Sequence, residues 1–434
     1  MAKRRKPDFI HAYLGFTENS ESPRSYHLWA AVSLISAALE RKVYMRRGHS
    51  FVYPNNYIFL IGPSGVRKAE PIIIAQRFVR KIGLKMVSEA ITREALIRRI
   101  KSSVGHFATR KGMKTQCAVY GMFEELPVFL GEGDMPRLAA LTNWYDARDR
   151  WTYETKHMGT DEINGICFNM LGSMTEDSIV MSIPYAAIGS GFTSRILFVV
   201  EHRKGKIIAN PNLHGIDNQL EADLIHDLEQ INSLQGEFQM DADAWEFYER
   251  WYVGEEEKAG LGRPALSDPR FDGYNSRRAT HLWKISMVCA ASRANTLEIT
   301  ELDVQRALEM ILQIETNMPQ VFAKVGRSAF TEQTKLVMDF IANRGEVKMS
   351  EIMNLFYRDL DVRTLEIVEE NLLAMKCIRT ERDAVARDTI YTWIGDKGVQ
   401  PQRLIPQQYN TGFKGQVESL RKKPQLPAGT KDPQ

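Results

Sequence analysis

The stretch Tyr57 to Pro71, YIFLIGPSGVRKAEP, constrains the fold more than any other. Tyr57 to Ile61 is an apolar, partly branched run with the length of a buried strand. It breaks into Gly62-Pro63-Ser64-Gly65 ahead of a lysine and a helical pattern. That is the layout of a phosphate-binding loop. In such a loop, backbone N–H groups at a helix amino terminus converge on a polyphosphate, and a lysine, here Lys68, reaches the outer phosphates as a point charge.

The match to G-x-x-x-x-G-K-[ST] is partial. Gly62 and Lys68 stand at the right spacing, with Pro63, Ser64, Gly65 and Val66 between them and the altered end of the motif. Arg67 replaces the second glycine. Ala69 replaces the Ser or Thr whose hydroxyl normally holds Mg2+. A Gly/Pro turn joining a strand to a helix is the plainer alternative.

Downstream, Thr115 to Phe123 reads as a buried strand ending in Glu124-Glu125. Acids at a strand tip beside a nucleotide loop suit two tasks. One carboxylate, Glu124, would bind Mg2+ through water and the other would polarise an attacking water. Capping of the following helix is the competing explanation. Trp151 to Glu154 and Ile163 to Phe168 read as hairpin arms around Lys156-His157-Met158-Gly159, and the strand Cys167 to Leu171 ends in Gly172-Ser173-Met174-Thr175. Ser173 or Thr175 there suits a hydrogen bond to the attacking water or the γ-phosphate, although both are ordinary turn formers. Arg195 precedes the last apolar strand, Ile196 to Val200, on a Gly-rich approach from which a neighbouring subunit's nucleotide would be reached.

At 434 residues the chain suits two to three domains, and 44% hydrophobic with 26% charged residues is an ordinary globular balance. A net charge of +3 gives no global field toward nucleic acid. The opening Ala2-Lys3-Arg4-Arg5-Lys6 and the segment Thr411 to Gln434 are basic, which reads as solvated tails, with DNA attachment as the sharper alternative. Four scattered cysteines without a C-x-x-C pair argue against a zinc site or disulfide framework. With no apolar run of membrane-spanning length and no signal-peptide pattern, a cytoplasmic protein without membrane contact is expected.

Helical periodicity covers Tyr26 to Leu39, Asn218 to Leu234, Asp241 to Glu255, Arg277 to Arg293 and Glu301 to Met318. Thr331 to Ile394 reads as three helices and a β-rich end, the winged-helix pattern. Its third helix carries Arg363, Glu366, Glu369 and Glu370, too acidic a set for reading a DNA groove.

In this order, GPSGVRK, FEEL, TKHMG, GSMT, GFTSR, SRRATHLWK, ELDVQRALEM and the terminal unit resemble the AAA+ ATPase-like proteins of bacteriophages and mobile elements. These are related to minichromosome-maintenance-type helicases. The resemblance implies an α/β fold with a P-loop AAA+-type core, a parallel sheet with flanking helices. It implies a lead-in at 1–50, the core with a hairpin insertion at 51–214, a helical lid at 215–327, a winged helix at 328–396 and a basic, disordered tail at 397–434. It implies ATP and Mg2+ at Gly62 to Ala69 with Glu124 and Glu125, and Ser173 or Thr175 as first sensor. Arg195 becomes an arginine finger given to the adjacent subunit, and Arg277 or Arg278 a second sensor. Lys156 and His157 would grip single-stranded DNA in a central channel. The expected protein is a homo-oligomeric, hexameric helicase-like motor working with other replication proteins, in the host cytoplasm if phage-encoded. The alternatives are a nucleotide-binding but weakly hydrolysing DNA-binding or assembly protein, a helicase loader or a packaging ATPase.

Overall fold

Tyr57, Ile58, Phe59, Leu60 and Ile61 are all fully buried in the computed structural model, as the unbroken apolar run requires of a strand covered on both faces. The structure describes residues 3–109, 112–155, 159–184, 187–188, 191–210, 215–322, 331–357, 360–383 and 388–395. Its main sheet contains β1 (Tyr57–Ile61), β2 (Met86–Val87), β3 (Val104–Thr109), β4 (Gly112–Phe123), β5 (Ile166–Met174) and β6 (Ile196–Val200). The order is β6-β1-β5-β4-β2, all parallel, with β3 antiparallel against β4. The protein is therefore α/β, a parallel sheet flanked by helices.

The chain leaves β1 for the far edge at β2, returns through β4 and β5, and crosses β1 to reach β6. Ligands of open parallel sheets bind outside the carboxyl ends of strands where the winding reverses. Here that places β1 and β5 side by side, with Leu60 opposite Ser173 and Ile61 opposite Met174.

The helix Arg24–Leu39 is buried almost all round, and it packs on the helices Ala69–Lys81, Asn218–Asn232 and Arg278–Arg293 and on β5. Because one apolar cluster runs from Phe9 to Phe322, the lead-in, core and lid segments of the sequence reading fold as a single unit, Met1–Gly326. The basic opening is pinned rather than solvated. Arg4 donates to Asn295 Oδ1 and to the carbonyls of Ala291, Ser292 and Ala294 at the end of the helix Arg278–Arg293, where a cation complements the helix dipole. Arg5 and Lys6 pair with Asp223.

The hairpin pairs Arg150–Thr155 with Gly159–Asn164. Its second arm stops at Gly165, whose φ of +65° separates it from β5. Lys156 and His157 lie outside the described residues.

The second unit has its own core of Val337, Ile341, Val347, Ile352, Leu365, Val368, Leu372 and Tyr391. It holds helices Thr331–Arg344, Met349–Leu355 and Val362–Ala374, and strands Glu346–Lys348, Ile378–Asp383 and Asp388–Trp393. The first of these strands escapes the sequence reading because three residues carry no period. Among the described residues, no helix is long and apolar enough to cross a membrane.

Candidate functional site

Gly62 lies where the loop leaves the sheet. Its N–H donates to Met174 O at 3.4 Å, while Ile61 O accepts from Glu201 N at 3.0 Å and from the Tyr26 hydroxyl at 2.5 Å. A Cβ here would stand 2.3 Å from Glu201 O and 2.8 Å from the Tyr26 hydroxyl, so only glycine fits. Val66 is buried and anchors the loop, whereas Pro63, Ser64 and Gly65 are exposed above it. Arg67 adopts φ +65°, the left-handed conformation that the usual glycine takes without cost. Its Nε and Nη2 each lie 3.0 Å from Glu21 Oε2.

Lys68 immediately precedes the helix Ala69–Lys81 and folds its ammonium back onto Gly62 O and Pro63 O, 2.8 Å from each. Burial lowers its pKa, opposed by the charge of Glu125. The lysine thus rests on the carbonyls of its own loop, on the side facing the acidic strand tip.

Glu124 is half-buried and Glu125 exposed at the carboxyl end of β4. One strand, β5, separates β4 from β1, so the acid pair and the loop stand about 10 Å apart, two strand spacings. Neither carboxylate makes a hydrogen bond or ion pair among the described residues, which leaves their oxygens for water or an ion. The backbone beneath them is fixed by Glu89, whose Oε1 accepts from Glu124 N and, at 3.3 Å, from Glu125 N. Ser173 Oγ donates to Glu124 O at 2.7 Å, so this hydroxyl joins the two strand ends. Thr175 caps the helix Glu176–Ser182, accepting from Ser178 N at 3.2 Å, which accounts for a Thr at that position without a phosphate.

The predicted arginines are not at this edge. Arg195 precedes Ile196, the partner of Tyr57 at the start of β1, and so lies at the opposite end of the sheet from Gly62. It is buried, with Nη2 2.9 Å from Asp146 Oδ2 and Nη1 2.7 Å from Gly191 O. A finger for a neighbour must project; this one is consumed inside its own chain. Arg277 shares the same acid, Nη1 to Asp146 Oδ1 at 3.7 Å, and so stands a strand's length, about 16 Å, from the loop it was expected to sense. Arg278 is buried between Glu315, at 2.7 and 2.9 Å, and Glu255. The helix Arg278–Arg293 meets the amino end of β6, where His281 Nε2 lies 3.0 Å from Ser194 O, and the ion pairs of both arginines are made away from the Gly62–Lys68 loop.

Mg2+ finds an incomplete set of ligands. Glu124 and Glu125 offer free carboxylates, but Ala69 offers no side-chain oxygen at the loop, so the chain would hold the ion through water and this acid pair.

The sequence reading missed Glu21, Glu89 and Lys204. Lys204 lies in the basic run His202-Arg203-Lys204-Gly205-Lys206 that follows β6, a visible signal at the carboxyl end of a strand beside the loop. Glu21 and Glu89 are single acids in irregular segments and carry no pattern.

The chain matches no protein-family model, and no curated protein matches it.

Proposed function

We propose that the chain binds a nucleoside triphosphate at Gly62–Lys68 and works as an oligomeric, ATP-dependent motor on DNA. This is the activity of the AAA+ proteins of phages and mobile elements that its motif order resembles. The observation that carries the reading is the convergence of the Gly62–Lys68 loop, Ser173 and the Glu124–Glu125 pair on one carboxyl edge of a parallel sheet. On this reading the loop N–H groups and Lys68 bind phosphates, and Glu124 or Glu125 accepts a proton from the attacking water. Mg2+, where bound, would neutralise phosphate charge. Helices of the segment 218–317 serve as the lid, and the unit of residues 331–395 as a winged helix for protein contact rather than base reading. Glu369 of its third helix accepts from the Tyr391 hydroxyl at 2.9 Å and so is engaged within the unit.

A second reading, a nucleotide-binding assembly protein with slow turnover, is favoured by Ala69, by Arg67 and by the internal use of Arg195. Steady-state ATP hydrolysis with and without single-stranded DNA, beside native mass measurement, separates the two. DNA-stimulated turnover by a multiple of 49.6 kDa supports the motor. Nucleotide binding without turnover supports the second reading, and absence of binding removes both.

A further inference from the structure

One carboxylate occupies two cations beside the loop, Arg67 and Lys204. Glu21 Oε2 accepts from Arg67 Nε at 3.0 Å and from Lys204 Nζ at 2.9 Å. Arg67 comes from the loop itself, while Lys204 follows β6, the strand adjoining the loop's own strand. The acid's position is fixed by its main chain, since Gly205 N donates to Glu21 O at 3.0 Å. The backbone N–H of Ile208 donates to its other oxygen at 3.3 Å. A Cβ on Gly205 would meet Ser22 O and Pro23 Cα at 3.0 Å, so the segments holding Lys204 and Glu21 lie in close contact.

We propose that Arg67 and Lys204 form a second phosphate-binding pair, with Glu21 standing in for phosphate until a triphosphate displaces it, so that nucleotide binding needs no divalent cation. This rests on the nucleotide reading of the loop. Three observations carry it. Ala69 removes the hydroxyl through which the loop would hold a metal, at the same place where Arg67 adds a fixed positive charge. Arg67 keeps a backbone conformation that disfavours any side chain, and strain of this kind persists where the surroundings over-determine it. A carboxylate and a phosphate present the same acceptor to guanidinium and ammonium groups, so the geometry that holds Glu21 also fits a phosphate oxygen. The lysine contact holds the Glu21 carboxyl well down, at about 2, so it is an anion at neutral pH and a true competitor. A metal-free triphosphate carries more negative charge than its Mg2+ complex, and Lys68, Arg67 and Lys204 together match it.

The test is calorimetric titration of ATP into the full chain in excess EDTA and again in excess MgCl2, with Glu21→Gln and Lys204→Ala alongside. The wild-type dissociation constant in EDTA is expected within about threefold of the MgCl2 value, or below it. Glu21→Gln is expected to tighten the EDTA value about tenfold and Lys204→Ala to weaken it about tenfold, with smaller effects in MgCl2. Binding in MgCl2 that weakens more than tenfold in EDTA overturns the proposal and leaves the nucleotide reading standing. No binding in either condition overturns both. Circular-dichroism melts check that the variants fold, and the wild-type comparison decides alone if one does not.

Discussion

Arg195 closes onto Asp146 inside its own chain, Nη2 to Oδ2 at 2.9 Å. Asp146 also faces Arg277 at 3.7 Å, and the Lys284 ammonium lies 4.0 Å from the centre of the neighbouring Tyr145 ring, so one carboxylate offsets several cations. Removing one member of a buried pair costs about 3–5 kcal/mol, and the 31% exposure of the Asp146 side chain reduces this to roughly 1–3 kcal/mol. Asp146→Asn and Arg195→Ala are therefore each expected to lower the urea midpoint of nucleotide-free protein. An unchanged midpoint for Arg195→Ala would return that residue to a subunit-facing role.

The loop's two glycines are expected to fail for different reasons and by different amounts. At Gly62 an added methyl meets backbone at 2.3 Å, and relieving it disturbs the hydrogen bonds at Ile61 and Glu201, so Gly62→Ala should cost about 3 kcal/mol. Gly65 has open space around it but φ +89°, so Gly65→Ala should cost about 1 kcal/mol. Thermal melts of the two variants give the comparison. Equal losses would mean that the Glu201 contact yields easily.

What the sequence made legible follows physical range. β1 and β6 are read to the residue because a strand buried on both faces is apolar throughout. The loop, the acid pair and Ser173 could be placed on one edge because each ends its own strand. The arginines could not be placed. Their positions depend on where the helix Arg278–Arg293 docks and on Asp146, which lies 49 residues from Arg195 in sequence. No local pattern encodes either fact. Glu21 reaches Lys204 across 183 residues and was invisible for the same reason.

Arg67→Gly tests whether the loop exchanges stability for charge. Restoring glycine at φ +65° relieves roughly 1–2 kcal/mol of backbone cost, and the lost pair with Glu21 is a solvent-screened surface contact that offsets little of it. The variant is expected to melt at or above the wild-type temperature while binding ATP more weakly in EDTA. A lower melting temperature would show that Arg67 holds the loop structurally.

His281 sets the last expectation, a pH dependence of stability. The ring is fully buried, with Nε2 3.0 Å from Ser194 O and Nδ1 3.1 Å from the Tyr145 hydroxyl. A neutral ring satisfies both contacts, donating from Nε2 to the carbonyl and accepting at Nδ1 from the hydroxyl. Burial, with Lys284, Arg277 and Arg195 nearby, pushes its pKa down to about 3, from an ordinary value of 6.5. The unfolded chain then binds a proton that the folded chain refuses, and this contribution to stability is complete above pH 6.5 and lost as pH falls from there toward 3. One proton corresponds to about 1.4 kcal/mol per pH unit within that window. His27, buried and lowered to about 4, adds in the same direction, so the diagnostic is a difference between proteins. Denaturant midpoints measured from pH 7 to 5 should fall more steeply for the wild type than for His281→Asn, which removes the titrating ring. Parallel slopes would mean that the folded protein accepts the proton and that the ring's two contacts rearrange to hold it.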